Sequence, residues 1–341
     1  MRAVEMTKPG PPDVLQLTEL VEPQIQSDTQ IKVRIKAAGV NPIDTKIRKD
    51  APFYPDDLPA VLGCDGAGVV AEVGSAVTRF KPGDAVWFCN GGLGREQGTY
   101  AQFTLLEEAH CSPKPKSLSF AEAAAAPLVL ITAWEALFER GRIQPGHTVL
   151  IHAGGGGVGH VAIQLAKRGG AKIITTVADE DKAMLAQEMG ADEFIFYRDR
   201  DFVDAVNTWT NGKGVNIALD TVGPETFRRT ISAMAFGGSL VTLLNPGPDI
   251  DWTEARNRNL NIGFELMLTP QLRNLPAARA HHSEILRRCE GWIDTGKLKI
   301  HVSHKFPLEE AAQAHRLIEK GHVTGKVVLV VEDWELPVEV A

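Results

Sequence analysis

A glycine-rich segment, HAGGGGVGHVAIQLAKRGG, restricts the possible folds of this chain more than any other segment. It runs from His152 to Gly170, and five of the six residues from Gly154 to Gly159 are glycine. Each glycine inside a helix costs about 1 kcal/mol relative to alanine, so these glycines need another reason. A buried strand, TVLIHA, precedes them, and apolar residues at helical spacing follow them as far as the Gly169–Gly170 pair. The segment is therefore predicted to form a strand, a tight turn and an amphipathic helix.

This context indicates what the glycines do. The pattern Gly154-x-Gly156-x-x-Gly159 on its own also occurs in plain tight turns and flexible loops. Between a buried strand and a helix, however, its backbone N–H groups can approach a pyrophosphate, which the N-terminus of the helix then stabilises. We therefore predict a dinucleotide site in which Gly156, Gly157, Val158 and Gly159 contact the cofactor.

Strands and helices continue to alternate after this segment. The strands are predicted at KIITTV (172–177), EFIFY (193–197), VNIALD (215–220) and SLVTLL (239–244), and the helices between them end near Met189, near Thr208 and at Met234. Alternation at this spacing specifies an α/β domain with a doubly wound parallel sheet.

The two ends of the chain have a different pattern. The first 125 residues read as short strands and turns, among them VVAEVG (69–74) and AVWF (85–88). In Gln30–Lys36, apolar Ile, Val and Ile alternate with basic Lys, Arg and Lys, which is typical of a strand with one exposed face. After Pro270, a long helix is predicted at about 277–293 and a last strand at Lys326–Val331.

The residues after KIITTV bear on which dinucleotide binds. This strand ends at Val177, where NAD sites usually carry an acid for the ribose 2′-hydroxyl, and Asp179 lies two positions further on. Lys182 opens the next helix and could pair with the 2′-phosphate of NADP(H), although a solvated lysine explains it equally well. The acids at 179–181 would repel a phosphate. We predict NADP(H), bound by Lys182 and by Tyr197 at the end of the third strand.

Length, charge and cysteines exclude several classes of protein. The 341 residues suffice for two cores, and with a net charge of −7 and no Lys/Arg cluster we expect no nucleic-acid partner. No apolar run is long enough to span a membrane, and the first residues lack the apolar stretch of a signal peptide. We therefore expect no membrane association and a cytoplasmic location. The four cysteines form no CxxC pair and are expected to be free thiols.

Seven motifs in the chain carry a resemblance to a known family. They are AAGVNPIDTKIR (37–48), GCDGAGVVAEVG (63–74), KPGDAVW (81–87), GTYAQF (98–103), LITAWEAL (130–137), AGGGGVG (153–159) and TGKVVLVV (324–331). In this order they resemble the medium-chain dehydrogenase/reductase superfamily, and within it the zinc-free quinone oxidoreductase (zeta-crystallin-like) branch. The resemblance implies a mostly-β GroES-like catalytic domain at 1–125 and 270–341, an inserted Rossmann domain for NADP(H) at 126–269, and a homodimer or homotetramer.

The residues themselves argue against zinc. A catalytic zinc needs about three protein ligands, and the zinc-dependent relatives have a Cys at the position of Asn41 and a His at that of Cys64. Their third ligand would fall in APLVLITA (126–133), which contains no suitable donor, and the lobe that holds structural zinc retains only Cys89. We predict that no metal is bound.

Without zinc, the substrate must accept a hydride readily, as a quinone or an alkene conjugated to a carbonyl does. Asn41, Asp44 and Tyr54 match the polar pocket of the branch and are the predicted catalytic residues, with Asn41 also contacting the cofactor. A turn role for Asn41 before Pro42 and a helix N-cap role for Asp44 remain open. Lys46 stands where the branch usually has Tyr, which leaves the shape of the pocket open.

Further cofactor contacts and alternative functions follow from the same resemblance. Thr132 matches the residue that binds the nicotinamide carboxamide, although a satisfied helix hydroxyl explains it too. Val222 and Leu244 end the fourth and fifth strands, the edge at which ligands bind such sheets. No flavin signature is present, so the predicted reaction is direct hydride transfer from NADPH to a quinone. The alternatives are an NADPH-dependent enone or alkenal reductase and a nucleotide-binding protein with little turnover.

Overall fold

The structure is a computed structural model and describes residues 1–51 and 53–331. Within these residues, no helix combines the length and the apolar character that crossing a membrane requires. The strands are β1 (Arg2–Met6), β2 (Leu15–Glu19), β3 (Gln30–Val40), β4 (Ala60–Val61), β5 (Asp65–Val73), β6 (Ala85–Cys89), β7 (Phe103–Glu107), β8 (Cys111–Pro113), β9 (Thr148–Ile151), β10 (Lys172–Val177), β11 (Glu193–Phe196), β12 (Val215–Asp220), β13 (Met234–Thr242), β14 (Asn261–Phe264), β15 (Val302–Pro307) and β16 (Lys326–Val330).

The helices fall between these strands, and one of them changes its winding. The α-helices are α1 (Pro42–Asp50), α2 (Phe120–Ala125), α3 (Pro127–Trp134), α4 (Gly157–Arg168), α5 (Glu180–Glu188), α6 (Phe202–Trp209), α7 (Pro224–Thr230), α8 (Thr253–Asn257), α9 (Thr269–Leu272), α10 (Pro276–Asp294) and α11 (Ala311–Lys320). Helix α3 is followed directly by a π-helix at Glu135–Arg140.

The chain folds into two units. The first unit consists of Met1–Leu128 with the described residues from Leu268 onward, and the second unit is Val129–Met267. The second unit contains one parallel sheet with the strand order β11-β10-β9-β12-β13-β14. The first unit is rich in strands, as predicted. The predicted fold class, a mostly-β domain together with a doubly wound parallel sheet, is confirmed.

The parallel sheet of the second unit is covered on both faces, which its sequence reflects. Strand β10 has five consecutive buried residues, because a strand between two helical layers has no solvent face. Leu150, Ile174, Ala218 and Leu240 from four neighbouring strands are almost completely buried in one apolar core. The predicted strands at 172–177 and 215–220 have the bounds of β10 and β12.

Several predicted boundaries in this unit are wrong. The helix predicted to run through Met234 ends at Thr230 with a short 3₁₀ turn after it, and Met234 instead begins β13, where it pairs with Val215. Strand β9 stops at Ile151, because Ala153 has a left-handed φ of 54° that no strand contains. Helical and strand periodicity cannot be separated over so few residues.

The first unit is built around the long strand β3. Its seven-stranded sheet has the order β15-β16-β3-β5-β6-β8, with β7 also paired to β3, and a separate three-stranded sheet has the order β2-β1-β4. The predicted exposed face of β3 is only partly correct, because Arg34 is exposed but Lys32 and Lys36 are buried. Lys32 forms ion pairs with Glu22, at 2.8 Å, and with Glu72 on the neighbouring strand. A buried lysine is tolerated when carboxylates neutralise it.

Candidate active site

The glycine-rich turn after β9 contains three glycines that the protein itself requires. A Cβ atom at Gly154 would overlap the Thr175 hydroxyl, and one at Gly155 would lie 2.7 Å from the Lys182 side chain. A Cβ at Gly159 would overlap the carbonyl oxygen of Ala153 and lie 2.8 Å from the Cα of Gly154. These residues are glycine because strand, turn and helix pack too closely for a side chain.

Gly156 is different, because almost nothing in the chain stands beside it. The atoms nearest to a Cβ there would be the carbonyl oxygen of Ala153, at 3.1 Å, and the Cβ of Ala153, at 4.0 Å. Gly156 is the N-cap of α4 and, as a glycine, has no side chain with which to cap the helix. Gly157 and Val158 follow in the first turn and are only partly buried. Open space beside uncapped N–H groups at the positive end of a helix fits the pyrophosphate of a dinucleotide.

Two histidines near this turn have structural partners. The Nδ1 of His160 lies 3.0 Å from the carbonyl oxygen of Gly156, which anchors the turn to α4. The Nε2 of His152 lies 2.9 Å from the hydroxyl of Thr230. Burial lowers the pKa of His152 to about 3, so its ring is neutral at pH 7. These contacts account for both histidines without a metal.

The predicted 2′-phosphate residues lie after β10 and β11. Lys182 is mostly buried, so the interpretation as a solvated lysine is wrong. Its Nζ lies 3.2 Å from Asp179 Oδ2, and its backbone N–H donates to Asp179 Oδ1 at 3.0 Å. Tyr197 is 47% exposed, and the guanidinium of Arg198 lies 5.8 Å from its ring centre. The backbone N–H of Lys182, together with the charges of Lys182 and Arg198, lowers the pKa of Asp179.

Asp179 and Arg198 were not among the predicted ligand residues. Asp179 is the N-cap of α5 and also pairs with Lys182, while its side chain stays half-exposed. Arg198 adds a second basic side chain beside Tyr197. In the sequence, only its position next to that tyrosine could have identified Arg198 as a candidate site residue.

A buried carboxylate organises the loops after β12 and β13. Asp220 Oδ1 accepts the backbone N–H groups of Val222, at 3.0 Å, and Gly223, at 3.1 Å, while its Oδ2 accepts the Thr242 hydroxyl at 2.8 Å. The sequence predicts that Val222 and Leu244 end their strands, but each lies two residues beyond the strand end. Val222 is 51% exposed. Asp220 could have been identified as a site residue from the sequence, because it is the acid at the end of the predicted strand VNIALD.

Thr132, a predicted cofactor contact, lies on α3 and is 5% exposed.

The following π-helix contains Glu135, which is buried next to Glu265. Burial and the charge of Glu135 raise the pKa of Glu265, while the guanidinium of Arg140, 3.2 Å from its Oε2, acts in the opposite direction. π-helices are frequent at functional sites.

In the first unit, Asn41 and Asp44 are brought together at the start of α1. Asn41 is the N-cap, and its backbone N–H donates to Asp44 Oδ2 at 2.8 Å, so the alternative of Asp44 as the N-cap is wrong. The Tyr100 hydroxyl lies 3.2 Å from the same oxygen and 3.1 Å from His315 Nε2. Burial raises the pKa of Asp44 to about 7. Its Oδ1 is buried and has no hydrogen-bond partner within the described residues.

The side-chain amide of Asn41 is held on both sides. Its Nδ2 donates to Asp65 Oδ2 at 2.9 Å, and its Oδ1 accepts from the ammonium of Lys326. Asp65 and Lys326 are both buried. Neither was a predicted site residue, although each lies within a motif that carried the family resemblance.

The cysteines Cys64 and Cys89 form the one group in the described chain that has the spacing of metal ligands. Their sulfurs and a carboxylate oxygen of Asp65 all lie within 4.8 Å of one another. However, Asp65 Oδ1 already accepts the N–H of Leu128 at 2.8 Å, and its Oδ2 accepts Asn41. The hydrogen bond to Cys89 and burial raise the pKa of the Cys64 thiol well above its usual range. Because both oxygens of Asp65 already accept hydrogen bonds, two sulfurs remain, which is fewer than the about three protein ligands of a catalytic zinc, so the cluster does not fit a zinc ion as it stands.

Tyr54, the third predicted catalytic residue, contacts residues other than Asn41 and Asp44. Its hydroxyl is 3.4 Å from the carbonyl oxygen of Leu272, and the guanidinium of Arg95 lies 4.6 Å from its ring centre. It lines a cavity of about 230 Å³ together with Leu93, Arg95, Glu96, Gln271, Leu272 and Asn274. Lys46, which departs from the branch pattern, is exposed on α1.

Comparison with known proteins gives matches over nearly the whole chain. Residues 189–329 match the family described as zinc-binding dehydrogenase, and residues 27–116 match the alcohol dehydrogenase GroES-like domain. Quinone oxidoreductase 1 of Escherichia coli is 34% identical over 330 residues, which is 96% of this chain and 98% of that protein.

Three solved structures are similar over 97–98% of this chain and all of theirs. The Escherichia coli quinone oxidoreductase complexed with NADPH is 31% identical with a TM-score of 0.86. An NAD-dependent alcohol dehydrogenase is 37% identical with a TM-score of 0.88. A 2-haloacrylate reductase is 30% identical with a TM-score of 0.81.

Proposed function

Because the chain belongs to the zinc-free quinone oxidoreductase branch of the medium-chain dehydrogenase/reductase superfamily, we propose that it is an NADPH-dependent quinone oxidoreductase. The observation that carries this proposal is the open space beside Gly156 at the uncapped N-terminus of α4. The NADPH complex of the similar Escherichia coli enzyme supports the choice of cofactor. We assign the NADP(H)-binding domain to residues 126–269 and the catalytic domain to 1–125 and 270–341.

The proposed reaction needs a hydride and a proton. NADPH supplies the hydride when it is bound, and Gly156, Gly157, Val158, Gly159, Thr132, Val222 and Leu244, together with Asn41, are its proposed contacts. Asp44 and Tyr54, with Asn41, are assigned to the substrate. The unpartnered Oδ1 of Asp44 can hold a proton near neutral pH, because burial raises the pKa of this carboxyl to about 7. A quinone that receives a hydride takes up one proton to become the hydroquinone.

The loss of NADPH absorbance tests this function directly. A panel of quinones, a panel of enones and a mixture without acceptor are compared, each with and without a chelator. We expect turnover with quinones that the chelator leaves unchanged. Selective turnover of enones would favour the second candidate, a double-bond reductase, which the similar fold of a 2-haloacrylate reductase supports. Tight NADPH binding without any turnover would identify a binding protein, and zinc lost together with activity would contradict a metal-free reaction.

Lys182→Ala tests the choice of NADPH over NADH. The lysine should attract the 2′-phosphate, and its removal leaves the Asp179 carboxylate, 3.2 Å from it, without this partner and repelling that phosphate. We expect the dissociation constant for NADPH to rise about tenfold and that for NADH to change little. Lys167→Ala is the matched control, because Lys167, near the C-terminal end of α4, pairs with Asp192 just before β11, and its loss should leave both constants unchanged. Equal loss for both cofactors, or a wild-type preference for NADH, would contradict the assignment.

We also propose a homodimer, formed through the edge strand β14, in the cytoplasm. Strand β14 is an edge strand of the parallel sheet, and its last residue, Phe264, and Leu266, two residues beyond it, are 59% and 49% exposed. An exposed apolar edge strand favours pairing with another chain. The free thiols of the four cysteines agree with a reducing compartment.

Sedimentation equilibrium tests the dimer. The wild-type protein should have twice the chain mass of 37.0 kDa, and Phe264→Glu should shift it to the monomer, because a charge cannot be buried in the paired edge. Val21→Glu, at a residue 92% exposed in the first unit, should leave the mass unchanged. Four chain masses would support the homotetramer, and one chain mass for the wild type would exclude both assemblies.

A further inference from the structure

Lys326 is a buried cation at the first residue of β16. It is 3% exposed, and its strand pairs with the end of β3, where Val327 lies opposite Val40. Three acceptors surround its Nζ: the side-chain oxygen of Asn41, the carbonyl oxygen of Val40 at 3.4 Å and Asp65 Oδ2 at 4.0 Å. An ammonium has three N–H donors, whereas a neutral amine has two and a lone pair. Burial lowers the pKa of Lys326, but the two oxygens within hydrogen-bond distance and the negative charge of Asp65 act against this and favour the charged form.

The same carboxylate, Asp65, joins Lys326 to the pair of cysteines. Its Oδ2 faces Lys326, and one of its oxygens lies within 4.8 Å of the sulfurs of Cys64 and Cys89. A divalent ion bound by the two sulfurs and Asp65 would therefore lie close to a second positive charge. Two like charges at such distances inside a protein repel strongly, because little water screens them.

We propose that Lys326 is the built-in counter-ion of the Cys64–Asp65–Cys89 cluster and that it excludes a divalent metal ion from this cluster. It neutralises Asp65 in the place of a metal, and it fixes the side-chain amide of Asn41 by donating to Oδ1 while Asp65 accepts from Nδ2. The exclusion of metal does not depend on the reaction proposed above, because it concerns only the charges inside the first unit.

Cobalt(II) is a suitable probe, since thiolate ligands give it a strong charge-transfer absorption in the near ultraviolet. The wild type, Lys326→Ala and Lys326→Gln are titrated with Co²⁺ in the absence of cofactor. We expect no such band for the wild type and at least about tenfold tighter Co²⁺ binding, with the band, for both variants. Adding Cys64→Ser to either variant should abolish the band. Lys32→Ala is the matched control, because it removes another buried lysine of the first unit and should produce no band.

Two results would overturn the proposal. A Cys64-dependent band in the wild type would mean that the cluster binds metal in the presence of Lys326. Variants that fold, as judged by circular dichroism, but bind Co²⁺ no better than the wild type would mean that Lys326 does not exclude it. Lys326→Gln removes the charge but keeps a polar N–H donor on a side chain only one bond shorter, so it keeps the test decisive if Lys326→Ala does not fold.

Discussion

In the Gly156→Val variant, we expect the NADPH dissociation constant to rise by about 100-fold or more, which corresponds to about 2.7 kcal/mol of lost binding. The valine side chain would occupy the open space beside Gly156 that the pyrophosphate requires. The fold should tolerate it, because the backbone φ of −84° suits any residue and no atom of another element lies within 4 Å of the new Cβ. The free energy of unfolding should fall by about 1 kcal/mol or less, the usual effect of replacing an N-cap glycine.

Cofactor titration next to thermal unfolding of the cofactor-free protein separates binding from folding for this variant. Gly156→Ala places a smaller group in the same space and should give an intermediate loss of affinity. Normal NADPH binding by Gly156→Val would show that no phosphate lies there, and loss of binding through unfolding alone would also contradict the assignment.

The Gly159→Val variant should instead lose stability. Its Cβ would overlap the carbonyl oxygen of Ala153 and approach the Cα of Gly154 to 2.8 Å, and both are backbone atoms that no rotamer change can move away. We expect the free energy of unfolding to fall by about 3 kcal/mol or more, at the upper end of the usual effect of overpacking. Urea unfolding without cofactor measures this loss.

Gly156→Val, three residues away on the same turn, is the control for Gly159→Val. If both variants unfolded at the same urea concentration, the close packing of strand and helix at Gly159 would not be what keeps this residue a glycine. If Gly159→Val were stable but bound no cofactor, Gly159 would act mainly through the ligand.

The second unit was largely predictable because its signals are local. Strands buried on both faces, such as β10 and β12, are short apolar runs, and the glycine pattern between β9 and α4 is contiguous in sequence. The prediction failed where local signals compete. Met234 was assigned to a helix because its neighbours carry helical spacing, but its pairing with Val215 places it in a strand.

The candidate site of the first unit was less predictable because its contacts join distant parts of the chain. Asn41 was identified through its motif, whereas Lys326, which donates to its side chain, is 285 positions away. Lys32 fits an exposed alternating face by sequence, and only the positions of Glu22 and Glu72 explain its burial. The alternation of apolar and basic residues in β3 does not indicate where Glu22 and Glu72 lie.

The hydrogen bonds of Asp220 have a consequence for how the edge of the parallel sheet behaves before any ligand arrives. This side chain ties the loop after β12 to the end of β13, and the adjacent Thr221 hydroxyl donates to the carbonyl oxygen of His152 at 2.9 Å, which ties it to the loop after β9. The loop after β12 is thus linked to the end of β13 through one carboxylate and to the loop after β9 through one hydroxyl. A molecule that binds to a preorganised edge spends little free energy on ordering it, so most of the interaction energy is retained as affinity.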